Sequence, residues 1–122
     1  IKENDMFRVI VAGGRDFDNY ELLKDKLDKL LKLRSSNCSI VSGTARGADS
    51  LGEVYAKEKG YLLTKFPAQW DKFGKSAGYR RNEEMAKNAD GLVAFWDGQS
   101  RGTKHMIDIA KAQGLAVRII NY

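Results

Sequence analysis

Ser39-Ile40-Val41-Ser42-Gly43-Thr44-Ala45-Arg46-Gly47-Ala48-Asp49 is the stretch on which the fold turns. A short apolar run leads into a small, glycine-flanked turn. A helical pattern from Leu51 to Lys59 follows. Small residues between a strand and a helix leave backbone N–H groups bare. Those groups, with the positive end of the helix dipole, suit an anion and above all a phosphate. Arg46 adds a planar cation that forks onto phosphate oxygens. The alternative is that Gly43 and Gly47 serve only a tight turn. The stretch by itself does not separate the two, and the rest of the chain has to.

Outward from this stretch the same pattern repeats. Before it, Phe7-Arg8-Val9-Ile10-Val11-Ala12 is a nearly continuous apolar run of the kind found in buried parallel strands, and it ends in Gly13-Gly14. Asp18 and Glu21 resemble a capping box, with Asp18 as the cap. Leu23, Leu27, Leu30 and Leu31 then recur at helical spacing, which predicts a helix to about Leu33. Ser35-Ser36-Asn37 reads as a loop. Strand Ser39–Ser42 leads to a helix from about Gly47 to Lys59, stopped by Gly60. Leu62–Phe66 is a third strand, ended by Pro67. Residues 67–77 form the longest connection, and Ser76 is placed to cap a helix from Gly78 to Asn88. Gly91–Phe95 is a fourth strand. Thr103–Gln113, with Met106, Ile107, Ile109 and Ala110 inward, is a fourth helix closed by Gly114. Ala116–Ile120 is the last strand, and residues 1–6 are a polar lead-in.

Five strands alternating with four main helices predict an α/β, doubly wound parallel sheet with helices on both faces. No composition break, linker or repeat divides the 122 residues, so one domain over 1–122 is expected. Ligands in such sheets bind at the carboxyl ends of the strands, where strand order reverses.

Bulk chemistry narrows the partners. The formal net charge is +5, which favours anions, although an excess of this size also occurs without such a role. Lys24, Lys26, Lys29 and Lys32 alternate with Asp25 and Asp28 and read as a solvated helix face. The single cysteine, Cys38, excludes an internal disulfide and reads as a small apolar residue at the mouth of a strand. No run approaches the roughly 20 apolar residues that cross a bilayer, and no signal-peptide pattern is present, so a cytoplasmic protein without membrane contact is expected.

Three strand ends share one chemistry. The first gives Gly13-Gly14-Arg15-Asp16, the second Ser42–Asp49, the fourth Trp96-Asp97-Gly98-Gln99-Ser100-Arg101-Gly102-Thr103. Glycine, small residues and arginine gather where strand passes to helix, and in a doubly wound sheet all three loops fall on one rim. Backbone N–H groups at Gly43–Gly47 (Thr44 and Ala45 between them) and at Gly102–Thr103 are expected to hold phosphate, helped by the Thr44, Ser100 and Thr103 hydroxyls. Arg15, Arg46 and Arg81 balance charge, since three arginines on one rim otherwise repel. Asp16, Asp49 or Asp97 would accept from ribose hydroxyls, unless Asp49 only complements the helix dipole. Trp96 or Tyr79 would stack a base, with core packing placed ahead for Trp96 and loop pinning for Trp70. Asn82 follows Arg81 and can reach the crevice. His105, without ligand partners at metal spacing, reads as a surface or packing residue. No metal or cofactor is expected: the GxGxxG fingerprint and the GxxxxGK[ST] phosphate loop are both absent.

With these motifs in view, the chain resembles the YspA-related (cpYpsA-related) branch of the SLOG superfamily, Rossmann-like domains named for SMF/DprA and LOG proteins. The resemblance runs from Val9 to Ile120 on four ordered blocks: Val-Ala-Gly-Gly-Arg-Asp-Phe (11–17), Ser-Gly-Thr-Ala-Arg-Gly-Ala-Asp (42–49), Gly-Lys-Ser-Ala-Gly-Tyr-Arg-Arg-Asn (74–82) and Phe-Trp-Asp-Gly-Gln-Ser-Arg-Gly-Thr (95–103). It implies a Rossmann-like sheet and a pocket for nucleotides or nucleotide-derived molecules, often in sensors of bacterial and phage conflict systems. By analogy it also implies homo-oligomers. The cytokinin-activating phosphoribohydrolases are similar at a distance. Their Arg-Lys-x-x-Met block is similar to residues 81–85, and their Gly-Thr core falls on Gly102-Thr103. Arg81 matches a catalytic position there, but Asn82 stands for the lysine and Met106 for the catalytic glutamate. A thioether does no acid–base work.

Three functions are therefore expected in order. The first is binding of a nucleotide or ADP-ribose-like molecule, for sensing or sequestration, without turnover. The second is an N-glycosidase using Arg81 with Asp97, Asp49 or Glu84. The third is nucleic-acid binding, ranked last because no long basic stripe with interleaved aromatics is seen along the chain.

Overall fold

A computed structural model describes residues 6–34 and 37–122. Residues 1–5 of the predicted lead-in over 1–6, and the Ser35-Ser36 part of the predicted loop, lie outside the described residues. Five strands, β1 (Phe7–Gly13), β2 (Cys38–Ser42), β3 (Leu62–Lys65), β4 (Gly91–Trp96) and β5 (Ala116–Asn121), form one sheet in the order β3-β2-β1-β4-β5. Every pairing is parallel, with Val9 opposite Ile40 on one side and Gly91 on the other. The helices are α1 (Tyr20–Leu30), α2 (Ala48–Lys59), the short α3 (Trp70–Phe73), α4 (Ala77–Lys87) and α5 (Arg101–Ala112). This is the expected α/β architecture.

Strand alternation divides the core into two layers. Val9 and Val11 of β1 face Leu23 and Leu27 of α1 and Tyr55 and Ala56 of α2. Ile10 and Ala12 face the opposite way, onto Met85 and Ala86 of α4 and Met106, Ile107 and Ala110 of α5. Burying each Val, Leu, Ile or Met among these contributes about 1.5–3 kcal/mol relative to exposure. The α1–α2 layer is also tied at its outer edge. Tyr20 and Lys24 both donate to Glu58, and Asp28 accepts from Tyr55 at 2.8 Å and pairs with Lys59 at 3.1 Å. Cys38 is buried, as its strand-mouth position predicts. α2 stops as expected at Gly60, whose φ of 72° and ψ of 23° are left-handed.

Four local expectations are corrected. The cap of α1 is Asn19, whose side chain accepts from the Leu22 N–H at 3.0 Å, and not Asp18 one residue earlier. Regular helix ends at Leu30 and passes into a tight turn at Lys32–Arg34, so Leu30 and Leu33 point to water while Leu31 is buried. The 67–77 connection contains α3 and a tight turn over Gly74–Ser76. Ser76 makes no cap bond to α4; its hydroxyl donates to the Phe73 carbonyl at 3.0 Å and accepts from Arg80 Nε at 3.0 Å.

Candidate functional site

The chain leaves β1 toward β2 and later returns to β4 on the other side of β1. The connections that leave the paired carboxyl ends of β1 and β4 therefore run to opposite faces of the sheet and open a crevice. A cavity of about 530 Å3 occupies it. Its walls come from Gly13–Asp16 after β1, Ala45 and Asp49 at the start of α2, Trp70, Lys75 and the first turns of α4, and Asp97, Ser100, Gly102 and Thr103 at the start of α5. Met85 and Met106, both buried, line it as well.

Arg81 lines this crevice beside two exposed cations, Arg15 and Lys75, and with the carboxylates of Asp16, Asp49 and Asp97. It is half-buried, its Nη1 donates to the carbonyl of Gly43, and its Nε donates to Asn82 Oδ1 at 3.0 Å. Gly43 is required by this contact. A Cβ there would lie 2.8 Å from Arg81 Nη1 and 2.9 Å from Asp49 Oδ2. Among the described residues no ion pair includes Arg81, Arg15 or Arg46. Desolvation lowers the Arg81 pKa, with nearby Arg15 adding to the shift and Asp49 opposing it. Asp49 itself is buried, and desolvation pushes its carboxyl up to about 6 against the opposing Ala45 N–H and Arg81.

The Ser42–Asp49 turn is more self-contained than a bare cradle. The buried Ser42 hydroxyl accepts from the Thr44 N–H at 3.1 Å and donates to Glu53 at 2.7 Å. The Ala45 N–H goes to Asp49 at 3.2 Å, and the Ala48 N–H goes to the Gly14 carbonyl at 3.2 Å. Thr44 is held at a φ of 65°, an arrangement side chains resist. Gly47, at a φ of 77°, lets the first two loops interlock: a Cβ there would come within 2.2 Å of the Gly14 carbonyl oxygen. The expectation that the whole Gly43–Gly47 backbone faces the ligand is thus corrected. Ser42 and Gly47 brace the turn. Gly43, Thr44, Ala45 and Arg46 line an adjoining chamber of about 380 Å3, shared with Arg15, Trp70 and Arg81.

The third loop is ordered from within. Asp97 accepts from the Gln99 and Ser100 N–H groups, both at 2.8 Å, which holds its carboxyl below the usual carboxylate range. Ser100 caps α5 and takes the Thr103 hydroxyl at 3.2 Å. Gly102 and Thr103 stand in the first turn of α5, where the dipole favours an anion. Trp96 and Gly98 do not line the cavity. The Trp96 indole N–H donates to the Ser100 carbonyl at 3.1 Å, and its ring packs on the α4–α5 layer, so the core-packing alternative is the observed one. Tyr79 does line the cavity, and its ring lies 4.2 Å from that of His105, centroid to centroid. His105 Nδ1 is 3.1 Å from Asn82 Nδ2. His105 thus braces two cavity residues, and desolvation lowers its pKa.

A model of the YspA, cpYpsA-related SLOG family matches residues 7–73. The chain belongs to that family. It is also 33% identical over 123 residues to the Gene 61 protein of Mycobacterium phage D29, covering 96% of this chain and 97% of that protein. Among solved structures it is similar to DNA processing protein A from Streptococcus pneumoniae, with a TM-score of 0.73 and 17% identity. It is similar too to DNA processing protein A from Helicobacter pylori, with a TM-score of 0.68 and 15% identity; that structure is described for its single-stranded DNA binding mode. Both likenesses cover 96% of this chain but only 50% and 66% of the neighbours, and at these identities they show the fold.

Placed in this SLOG fold, the three carboxylates considered for N-glycosidic chemistry separate. Glu84 lines a different groove, Asp97 is held by two N–H groups, and only Asp49 is buried near Arg81. Trp70, Lys75 and Met85 of the SLOG cavity were not anticipated from sequence, nor was Tyr122, which donates to Asp16 Oδ1 at 2.6 Å. For Lys75 the signal was present, since it stands inside the third family block. Among the described residues no group of three or more His, Cys, Asp or Glu is placed to hold a metal ion, and no helix is long and apolar enough to cross a membrane.

Proposed function

We propose that the crevice binds a nucleotide or nucleotide-derived small molecule of the ADP-ribose type, and that the protein serves as its sensor or sequestering partner without turnover. The observation that carries this is Arg81: a half-buried guanidinium, fixed by Gly43 and Asn82 and, among the described residues, joined to no carboxylate by an ion pair, lining a cavity. A desolvated cation of that kind gains most from an anionic ligand. A cavity of about 530 Å3 falls within the range of small-molecule sites. Gly102 and Thr103 at the start of α5 then receive a phosphate, and Tyr79 and Trp70 offer faces for a base. Calorimetry against a panel of nucleoside mono- and diphosphates and ADP-ribose tests the reading. Heat from at least one member supports it, and no heat across the panel counts against it.

A second reading, N-glycosidic hydrolysis, has one observation in its favour. Asp49, with its pKa near 6, is suited to exchange a proton at neutral pH beside Arg81. Incubating the protein with each panel member and separating the products by chromatography distinguishes the two. Free base or ribose phosphate establishes turnover and displaces the first reading.

A further inference from the structure

A second groove, of about 550 Å3, lies beside the cavity. The end of β3, the chain from Phe66 through α3, and one face of α4 line it. Five cations border it, Lys65, Lys72, Arg80, Arg81 and Lys87, against two carboxylates, Glu83 and Glu84. Lys65 pairs with Glu53 at 3.6 Å. Among the described residues, no ion pair joins Glu83 or Glu84 to any of the five cations.

The geometry gathers like charges. Lys72 Nζ lies 5.1 Å and the Arg80 guanidinium carbon 4.4 Å from the centroid of the Phe73 ring. Arg80 is oriented by its 3.0 Å bond to Ser76. The ring attracts each cation, and an anion between or above them would relieve whatever repulsion water and salt leave unscreened. Arg81 lines the groove, the main cavity and the small chamber alike, and the chamber shares Pro67 with the groove and Trp70 with the cavity. The three spaces are therefore neighbours along one face. Arg15, Arg46, Arg81, Lys72 and Arg80 follow that face, with Trp70 and Phe73 among them. Basic residues interleaved with aromatic ones are the chemistry that tracks a phosphodiester backbone and stacks its bases.

We propose that this groove is a second anion-binding site, which takes the backbone of a single-stranded oligonucleotide whose end nucleotide occupies the cavity. The proposal rests on the nucleotide reading of the cavity. Glu83 and Glu84 border the groove, enter no ion pair among the described residues, and set a limit on how closely phosphates pass that wall.

The test measures fluorescence anisotropy of labelled single-stranded oligonucleotides of increasing length, alongside calorimetry with mononucleotides. Both are run on wild type and on the double variant Lys72→Ala, Arg80→Ala, two exposed positions. The expected result is affinity that rises with length and falls at least tenfold in the variant, with mononucleotide affinity unchanged. The slope of log affinity against log salt should fall by about 1.4, or 0.7 for each charge removed. Oligonucleotides that bind no tighter than mononucleotides, or that are indifferent to the variant, overturn the groove and leave the cavity reading standing. Absence of mononucleotide binding overturns the cavity reading; oligonucleotide binding that still depends on Lys72 and Arg80 would then keep the groove alone.

Discussion

Arg81 donates through Nη1 to the carbonyl of Gly43, a residue 38 positions earlier in the chain. That bond ties the start of α4 to the turn after β2 and holds a cation at the carboxyl rim of the sheet. Arg81→Ala removes both the cation and the tie. Hydrogen bonds to charged groups contribute about 1.5–3 kcal/mol each, so nucleotide affinity should fall roughly 10- to 100-fold. Arg81→Lys keeps the charge but loses the planar fork, and should recover only part of the affinity. Titration calorimetry of the two variants checks both statements.

Gly43→Ala is a more selective probe. Its Cβ meets the far end of the flexible Arg81 side chain and one Asp49 oxygen, not the backbone. Stability should drop by only about 1 kcal/mol, while ligand affinity falls nearly as far as in Arg81→Ala. Chemical denaturation and calorimetry on the same sample separate the two effects. Equal loss of stability and binding would show that the contact is merely structural.

Asp49 predicts a pH dependence with a definite sign. Burial raises its pKa from 3.8 to about 6, so the folded state favours the protonated carboxyl. The stability this group contributes is fully present below its unfolded pKa and is lost as pH rises through about 6. The rise from 3.8 to about 6 corresponds to about 3 kcal/mol. Asp49→Asn should therefore flatten the stability curve between about pH 4 and 6. It should also strengthen anion binding above pH 6, where wild type carries a charge beside the ligand.

The aromatic rim gives a further test. Trp70 and Tyr79 are exposed and border the cavity. Replacing either by alanine should weaken binding of a base-containing ligand by about 1–3 kcal/mol. Inorganic pyrophosphate, which has no base, should be unaffected. Competition binding with both ligands reads the difference.

Much of the fold was legible because local chemistry and tertiary demand agree. The Phe7–Ala12 run alternates between two apolar faces, both covered by helices. Gly60 ends α2 for the backbone reason its position suggests. Where two readings are locally similar, the neighbours decide. Asp18 and Asn19 both suit a cap, and only the placement of the first turn of α1 selects Asn19. α3 has four residues, too few for a hydrophobic period to show. The site followed the same division. Glycine turns after strands were visible in the chain. The Tyr122–Asp16 bond spans 106 positions, and the pairing of His105 with Asn82 joins two helices. Neither leaves a local signature. The basic groove was missed for a similar reason: its cations come from β3, α3 and α4 and are adjacent only in space.

The central claim is that Arg81 is held ready for an anionic, nucleotide-type ligand. Titration calorimetry of wild type and Arg81→Ala against the nucleotide and ADP-ribose panel tests it most directly. Saturable binding of one member by wild type, lost or reduced at least tenfold in the variant with no change in the ligand recovered afterwards, is the predicted result. No binding by wild type, or equal binding by the two proteins, would contradict it.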